Sequence, residues 1–169
     1  LFTTNNGEVL AGYQTGGTTY WSYNEELPPC LVAWSPDESR FIWSESNGDL
    51  NVVRVDGWSR IVVPTHASRC AGIAFSADGA GFVAAYGNKL IRYALRDDSI
   101  DVTGTVDGAA SEANVALMAA CFGTLQCGVI RKDGYAEVYD LNDFKIKCQC
   151  SIPCEGDLKR GNISEPVFS

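Results

Sequence analysis

Histidine is almost missing from this chain: one, His66, in 169 residues, with one methionine, Met118. Nucleophilic catalysis needs a nucleophile, a base and an orienting group. Any Ser-His or Cys-His pair would have to share that single imidazole. The Gly-x-Ser-x-Gly elbow is absent, as are the phosphate loop Gly-x4-Gly-Lys-[Ser/Thr] and the Gly-x-Gly-x2-Gly fingerprint. EF-hand spacing is also absent. Adjacent carboxylates stand at Glu25-Glu26 and Asp97-Asp98. Both pairs lie in segments that read as loops, where a solvated face is the plainer reading. No catalytic residue, metal or cofactor is expected, and the chain does not read as an enzyme.

Long apolar runs are missing too. No stretch approaches the ~20 apolar residues that span a bilayer, so membrane insertion is not expected. Leu1-Phe2-Thr3-Thr4 opens the chain with no initiator methionine and no basic then apolar leader. That start reads as a cut into a longer protein. Positive charge is scarce: 13 Lys and Arg against 21 Asp and Glu leave a net charge of −8. Such a surface repels phosphate backbones, and Arg131-Lys132 and Lys159-Arg160 are too short to form a basic patch. Nucleic acid is therefore not an expected partner.

Seven cysteines are present, an odd number. Cys30, Cys70, Cys121 and Cys127 stand in apolar runs and read as small core residues. Cys148, Cys150 and Cys154 form a Cys-x-Cys-x3-Cys cluster. On a strand the first two point the same way, but a zinc site would want a fourth ligand and commonly Cys-x2-Cys spacing. Reduced thiols and an intracellular setting, cytoplasmic or nuclear, are the expectation. The sequon Asn162-Ile163-Ser164 matters only in a secreted protein.

What the chain does have is a repeat. "LVAWSPDESRFIWSESNGDLNVVRV" (31–55) aligns with "GIAFSADGAGFVAAYGNKLIRYAL" (72–95), placing Trp34-Ser35-Pro36-Asp37 41 residues before Phe75-Ser76-Ala77-Asp78. Asn6-Gly7 precedes Asn47-Gly48 by the same 41 residues, and Asp133-Gly134 follows 86 after it, about two periods with an insertion near 97–115. Each unit reads as short apolar strands punctuated by Gly, Asn and Asp. Asn-Gly and Asp-Gly suggest type I′ hairpins, with positive φ at both central residues. No window carries a convincing helical stripe; "GAASEANVALMAACF" reads as a loop followed by a strand.

Four strands in ~40–45 residues is the period of a β-propeller blade. Strands are expected near 30–35, 40–45, 50–55 and 59–63; near 70–76, 81–86, 89–94 and 100–106; and near 115–121, 126–131, 135–140 and 145–151. The division is then the last strands of a truncated blade (1–23), three blades (24–64, 65–107, 108–154), and a tail or linker (155–169).

These units resemble the WD40-repeat propellers, over roughly residues 1–152. Thr65-His66 stands in the Gly-His place, nine residues before Phe75, and Tyr139-Asp140 in the Trp-Asp place. Trp34-Ser35-Pro36-Asp37 and Phe75-Ser76-Ala77-Asp78 fit the strand and turn. The match is degenerate: Glu25 falls where a histidine would, and Val53-Arg54 and Tyr93-Ala94 replace Trp-Asp. The resemblance implies an all-β propeller of about three and a half four-stranded blades, an incomplete ring. TolB-type and peptidase-type propellers share the Ser-Pro-Asp turn, so a propeller attached to a catalytic domain outside this chain is the alternative.

In the family such a histidine joins a hydrogen-bonded network that orders the loop before a strand. His66, Tyr139 and Asp140 are accordingly read as structural. The network around His66 reads as incomplete, because Ala84, Ala85 and Asn88 sit where Ser and Asp would help and Tyr93 replaces Trp. Trp21, Trp34, Trp43 and Trp58 are expected mostly to pack between blades.

Function follows from loops on a rigid ring. The resemblance implies a non-catalytic protein-interaction scaffold, part of a larger propeller protein or multisubunit assembly. Its partners would be other proteins, or the remaining blades. The family's contact face, mapped here, carries Glu25, Glu26, Pro28, Arg69, Tyr86, Asn88, Arg131 and Lys132.

Overall fold

The computed structural model describes residues 2–3, 8–12, 20–24, 29–65, 69–107, 115–120, 126–140, 143 and 145–151, with backbone alone before Leu31. Fifteen strands lie among the described residues. β1 (Phe2–Thr3), β2 (Glu8–Gly12) and β3 (Tyr20–Asn24) form a three-stranded sheet. β4 (Pro29–Trp34), β5 (Arg40–Glu45), β6 (Leu50–Arg54) and β7 (Ser59–Val63) form the second sheet. β8 (Cys70–Phe75), β9 (Gly81–Tyr86), β10 (Lys89–Leu95) and β11 (Ile100–Asp107) form the third. β12 (Val115–Ala120), β13 (Gln126–Arg131), β14 (Tyr135–Asp140) and β15 (Ile146–Ser151) form the fourth.

Every pairing is antiparallel and every sheet is a meander in chain order. The twelve strands expected from the sequence fall within one residue of their observed ends. A tight turn, Asp56–Trp58, with Gly57 at φ 75° and Trp58 at φ 55°, links β6 to β7 and was not foreshadowed by the pattern. The architecture is the all-β, repeated four-stranded arrangement, and its sheets do not close a ring.

Turn chemistry explains the register. Asn47-Gly48 is not a type I′ pair: positive φ occurs at Gly48 alone, at 96°. The β5–β6 loop has three residues, and Gly48 N–H donates to the Glu45 carbonyl at 3.0 Å. Asp133-Gly134 repeats this, with Gly134 at φ 87° donating to the Arg131 carbonyl at 3.0 Å. These are three-residue hairpins closed by a left-handed glycine. The two-residue β9–β10 connection instead puts Gly87 first, at φ 58°, as a type II′ turn does.

The Ser-x-Asp motif is a turn clamp. The Ser35 hydroxyl lies 2.6 Å from Asp37 Oδ1 and accepts the Arg40 N–H at 2.9 Å. Asp37 Oδ1 also accepts the Ser39 N–H at 3.1 Å. One repeat later Ser76 lies 2.6 Å from Asp78 Oδ1 and accepts the Gly81 N–H at 3.0 Å. Donation by Ser35, then by Ser39, holds the Asp37 carboxyl down at about 2 from an ordinary 3.8. The folded value lies below the unfolded one, so its stabilisation is full above pH ~4 and is lost as pH falls through about 2. A carboxyl-detected NMR titration will place the Asp37 midpoint near 2, and Ser35→Ala will raise it toward 3.8. An unshifted wild-type midpoint would refute the clamp.

The core lies between sheets. The leading strands β4, β8 and β12 pack side by side in chain order. Strand alternation makes β9 two-faced. Phe82, Ala84 and Tyr86 pack toward Ile42, Leu50 and Val52 of the second sheet. Val83 and Ala85 pack toward Val115, Met118 and Val129 of the fourth. The leading strands come so close that a Cβ at Gly72 would lie 2.5 Å from Met118 Cβ. Trp43 is fully buried, whereas Trp34, against the Phe41 ring at 5.0 Å, stays 38% exposed and is not an interior residue. Cys70 and Cys127 are buried, as their apolar runs suggest. Burial pushes the Cys127 thiol up to about 12.

Candidate functional site

Antiparallel meanders put two kinds of segment at one end of the stack: the starts of the leading strands and the β5–β6, β9–β10 and β13–β14 turns. Arg69 stands exposed just before β8, Lys132 stands exposed in the β13–β14 turn, and Asn88 is half-buried in the β9–β10 turn. These three therefore lie at one end of the stack. Glu25, Glu26, Pro28 and His66 lie outside the described residues.

Tyr86 and Arg131 need correction. The sequence places them on the contact face, and the structure buries both, at 4% and 0% exposure. Each is the last residue of its sheet's second strand, on the face turned toward the preceding sheet. Tyr86 donates its hydroxyl proton to the Gly48 carbonyl at 3.0 Å, in the hairpin of that preceding sheet. Arg131 does the equivalent one sheet later, with Nη1 donating to the Asn88 carbonyl at 3.3 Å. Both side chains bind sheet to sheet and leave the surface. Burial pushes the Tyr86 phenol well above its ordinary range, so it remains a donor.

Arg131 is held within its own sheet as well. Its Nε donates to Glu137 Oε2 at 2.7 Å and its Nη2 to the Tyr139 hydroxyl at 3.2 Å. The Tyr139 hydroxyl donates to Glu137 Oε2 at 2.8 Å. Arg131, Glu137 and Tyr139 are at most 1% exposed. Burial pulls the guanidinium down, but the Tyr139 and Glu137 bonds outweigh it, and the net direction is up. For Tyr139 burial comes first and the Glu137 bond second, and both push the phenol up. Tyr139 is thus an interior member of a charged network. Asp140 beside it is half-buried and pairs with Lys147 at 3.1 Å.

Thr65, the residue before His66, is anchored. Thr65 N–H donates to Asp49 Oδ1 at 2.9 Å, and Asn47 Nδ2 donates to Asp49 Oδ2 at 3.0 Å. The sequence looked for partners of this segment in the sheet that follows, at Ala84, Ala85 and Asn88. The structure adds one from the sheet that precedes, Asp49. Asp49 follows the Asn47-Gly48 pair directly, which is the signal that could have found it.

A second polar group, Glu45, Asn51 and Arg60, was also missed. Asn51 Nδ2 donates to Glu45 Oε1 at 2.7 Å, and Arg60 Nε donates to Asn51 Oδ1 at 2.7 Å. The Arg60 guanidinium lies 5.4 Å from the Trp43 ring centroid. Glu45 and Asn51 occupy the positions that Arg131 and Glu137 occupy two sheets later. Cys148 and Cys150 are exposed on β15, opposite Val138 and Ala136. Among the described residues no three His, Cys, Asp or Glu side chains converge to hold a metal. Nor, among them, is any helix long and apolar enough to cross a membrane.

The sequence matches no family profile and no curated protein. Solved structures do match it. One, "Structure of U3-55K", aligns at TM-score 0.66 and 14% identity, over 89% of this chain and 44% of that one. Another, "Crystal structure of RRP9 WD40 repeats", aligns at TM-score 0.65 and 15% identity, over 87% of this chain and 42% of that one. The chain thus spans less than half the length of either. Identity this low speaks to the fold alone. Stacked four-stranded meanders joined by short hairpins, together with these neighbours, give this chain the fold of a WD40-type β-propeller.

Proposed function

We propose that the chain is a non-catalytic protein-interaction scaffold, part of a larger propeller protein or assembly. Its contact face is the end bearing Arg69, Asn88 and Lys132, with the loop of Glu25, Glu26 and Pro28. The observation that carries this is positional. Successive sheets bring exposed or half-exposed polar side chains to one end, on short turns fixed by buried links such as Arg131 to Asn88. A rigid frame with solvent-facing polar loops suits recognition. The single histidine and the lack of a nucleophile motif support the non-catalytic reading. His66, which follows the anchored Thr65, serves this scaffold as a structural residue.

The test is an affinity purification with quantitative mass spectrometry, comparing wild type with Arg69→Ala/Asn88→Ala/Lys132→Ala. The Asn88 contact with Arg131 uses the backbone carbonyl, so the variant keeps it. Recovery of at least one partner is expected to fall about tenfold, the equivalent of ~1.4 kcal/mol, with the melting temperature unchanged. An unaltered partner set would overturn the assignment of this face.

A further inference from the structure

At the opposite end of the stack lie the β4–β5, β6–β7 and β10–β11 connections. There a shallow cleft with room for about one water opens between the second and third sheets, with Val52, Ile61, Leu95 and Ile100 on its apolar side. Arg40, Arg54 and Arg96 all line it, along with Ser59 and Asp97. Three arginines lining one cleft need an account in a chain of net charge −8.

The cleft's own carboxylates do not neutralise them. Arg96 is paired, with Asp101 at 2.8 Å. Among the described residues Arg40 pairs with Asp97 alone, at 3.9 Å, and Asp97 is 89% exposed. Arg54 gives its Nε–H to the backbone carbonyl of Asp56 at 3.2 Å and has no carboxylate partner among the described residues. Each guanidinium carries five N–H donors in a planar fork. Arg40 and Arg54 therefore bring nearly unused forks to this cleft.

We propose that this cleft binds a peptide bearing a phosphorylated serine or threonine. The phosphate accepts from Arg40 and Arg54, displaces the loose Asp97 contact, and takes a further bond from the Ser59 hydroxyl. A phosphate near −2 with three acceptor oxygens suits two arginines at directly paired positions of β5 and β6 better than a single carboxylate does. The site rests on the scaffold reading only in being a second recognition surface, and it lies at the other end from Arg69, Asn88 and Lys132.

The probe is fluorescein-labelled Ala-Leu-pSer-Leu-Ala, with Ser and Glu versions as controls, followed by anisotropy against the whole chain. The phosphopeptide is expected to bind at least tenfold more tightly than either control and to weaken steeply with added salt. Arg54→Gln is expected to cost at least tenfold. Arg69→Ala/Asn88→Ala/Lys132→Ala is expected to leave this binding unchanged, so the two surfaces fail separately. In the wild-type chain the Arg54 Nε–Hε resonance shifts on titration, a readout independent of any variant's folding. Equal binding of the Ser peptide, an indifferent Arg54→Gln, an unmoved Arg54 resonance or no binding at all would overturn the proposal. Equal binding of the Glu peptide would overturn the phosphate assignment in favour of an acidic segment.

Discussion

Arg131→Met destabilises the chain by about 3–5 kcal/mol, the cost of leaving one member of a buried ion pair without the other. The argument rests on burial and geometry. Arg131 and Glu137 side chains have no solvent exposure, and their contact is 2.7 Å. Methionine fills much the same space but takes from the Glu137 carboxylate its guanidinium partner at 2.7 Å, in a setting that disfavours its charge. Glu137→Leu strands the guanidinium and costs a similar amount. The double variant Arg131→Met/Glu137→Leu removes both charges together, and replacing a buried pair by apolar residues is often neutral. It is expected to recover most of either single loss. Urea unfolding of the four proteins gives the cycle. Single losses below about 1 kcal/mol would show a solvated pair, and a double variant as weak as the sum of the singles would show two independent contacts.

That network was the part of the site least legible in the sequence. Strand positions were readable because Gly, Asn and Asp interrupt each apolar run where the backbone must turn, and the Ser-x-Asp clamp recurs at a fixed distance. Arg131 was misread because it adjoins a turn and carries a charge, both of which suggest surface. Its neighbours two and four residues back say otherwise. Cys127 and Val129 share its face and are buried, and Glu137 and Tyr139 form the same alternation on the next strand. Period two continues through a charged residue when an opposite charge waits on the paired strand. Tyr86 follows the same rule after Phe82 and Ala84. Local composition could not reveal that the far partner of each was a backbone carbonyl one sheet away.

The turn chemistry shows a different limit. Asn47-Gly48 correctly marked a hairpin, but the loop needs three residues, so only the glycine enters the left-handed region. Dipeptide identity located the reversal and left its length open. Length matters here, because it sets which carbonyl faces the next sheet. The three-residue β5–β6 loop presents the Gly48 carbonyl to Tyr86. The two-residue β9–β10 turn presents that of Asn88 to Arg131. Tyrosine and arginine differ in reach and donor number, and each is matched to its own hairpin.

Phe82→Ala is expected to cost about 3–5 kcal/mol, as large-to-small changes of buried aromatics do. Phe82 is 1% exposed. Its ring stacks on Tyr93 with centroids 4.7 Å apart and lies 6.0 Å from Phe75. Beyond that trio it packs in the cluster that Ile42, Leu50 and Val52 contribute from the second sheet. Stacked repeats hold together largely through such nearest-neighbour interfaces, so the cavity weakens two sheets at once. Hydrogen exchange separates this from a local defect. Amide protection is expected to fall in β5 and β6, which carry no substitution, as well as in β9 and β10. Phe82→Leu, which retains most of the apolar contact, is expected to lose less than half as much. Protection lost in the third sheet alone would mean that the second sheet stands without it, and the sheets would then be independent units rather than parts of one stacked frame.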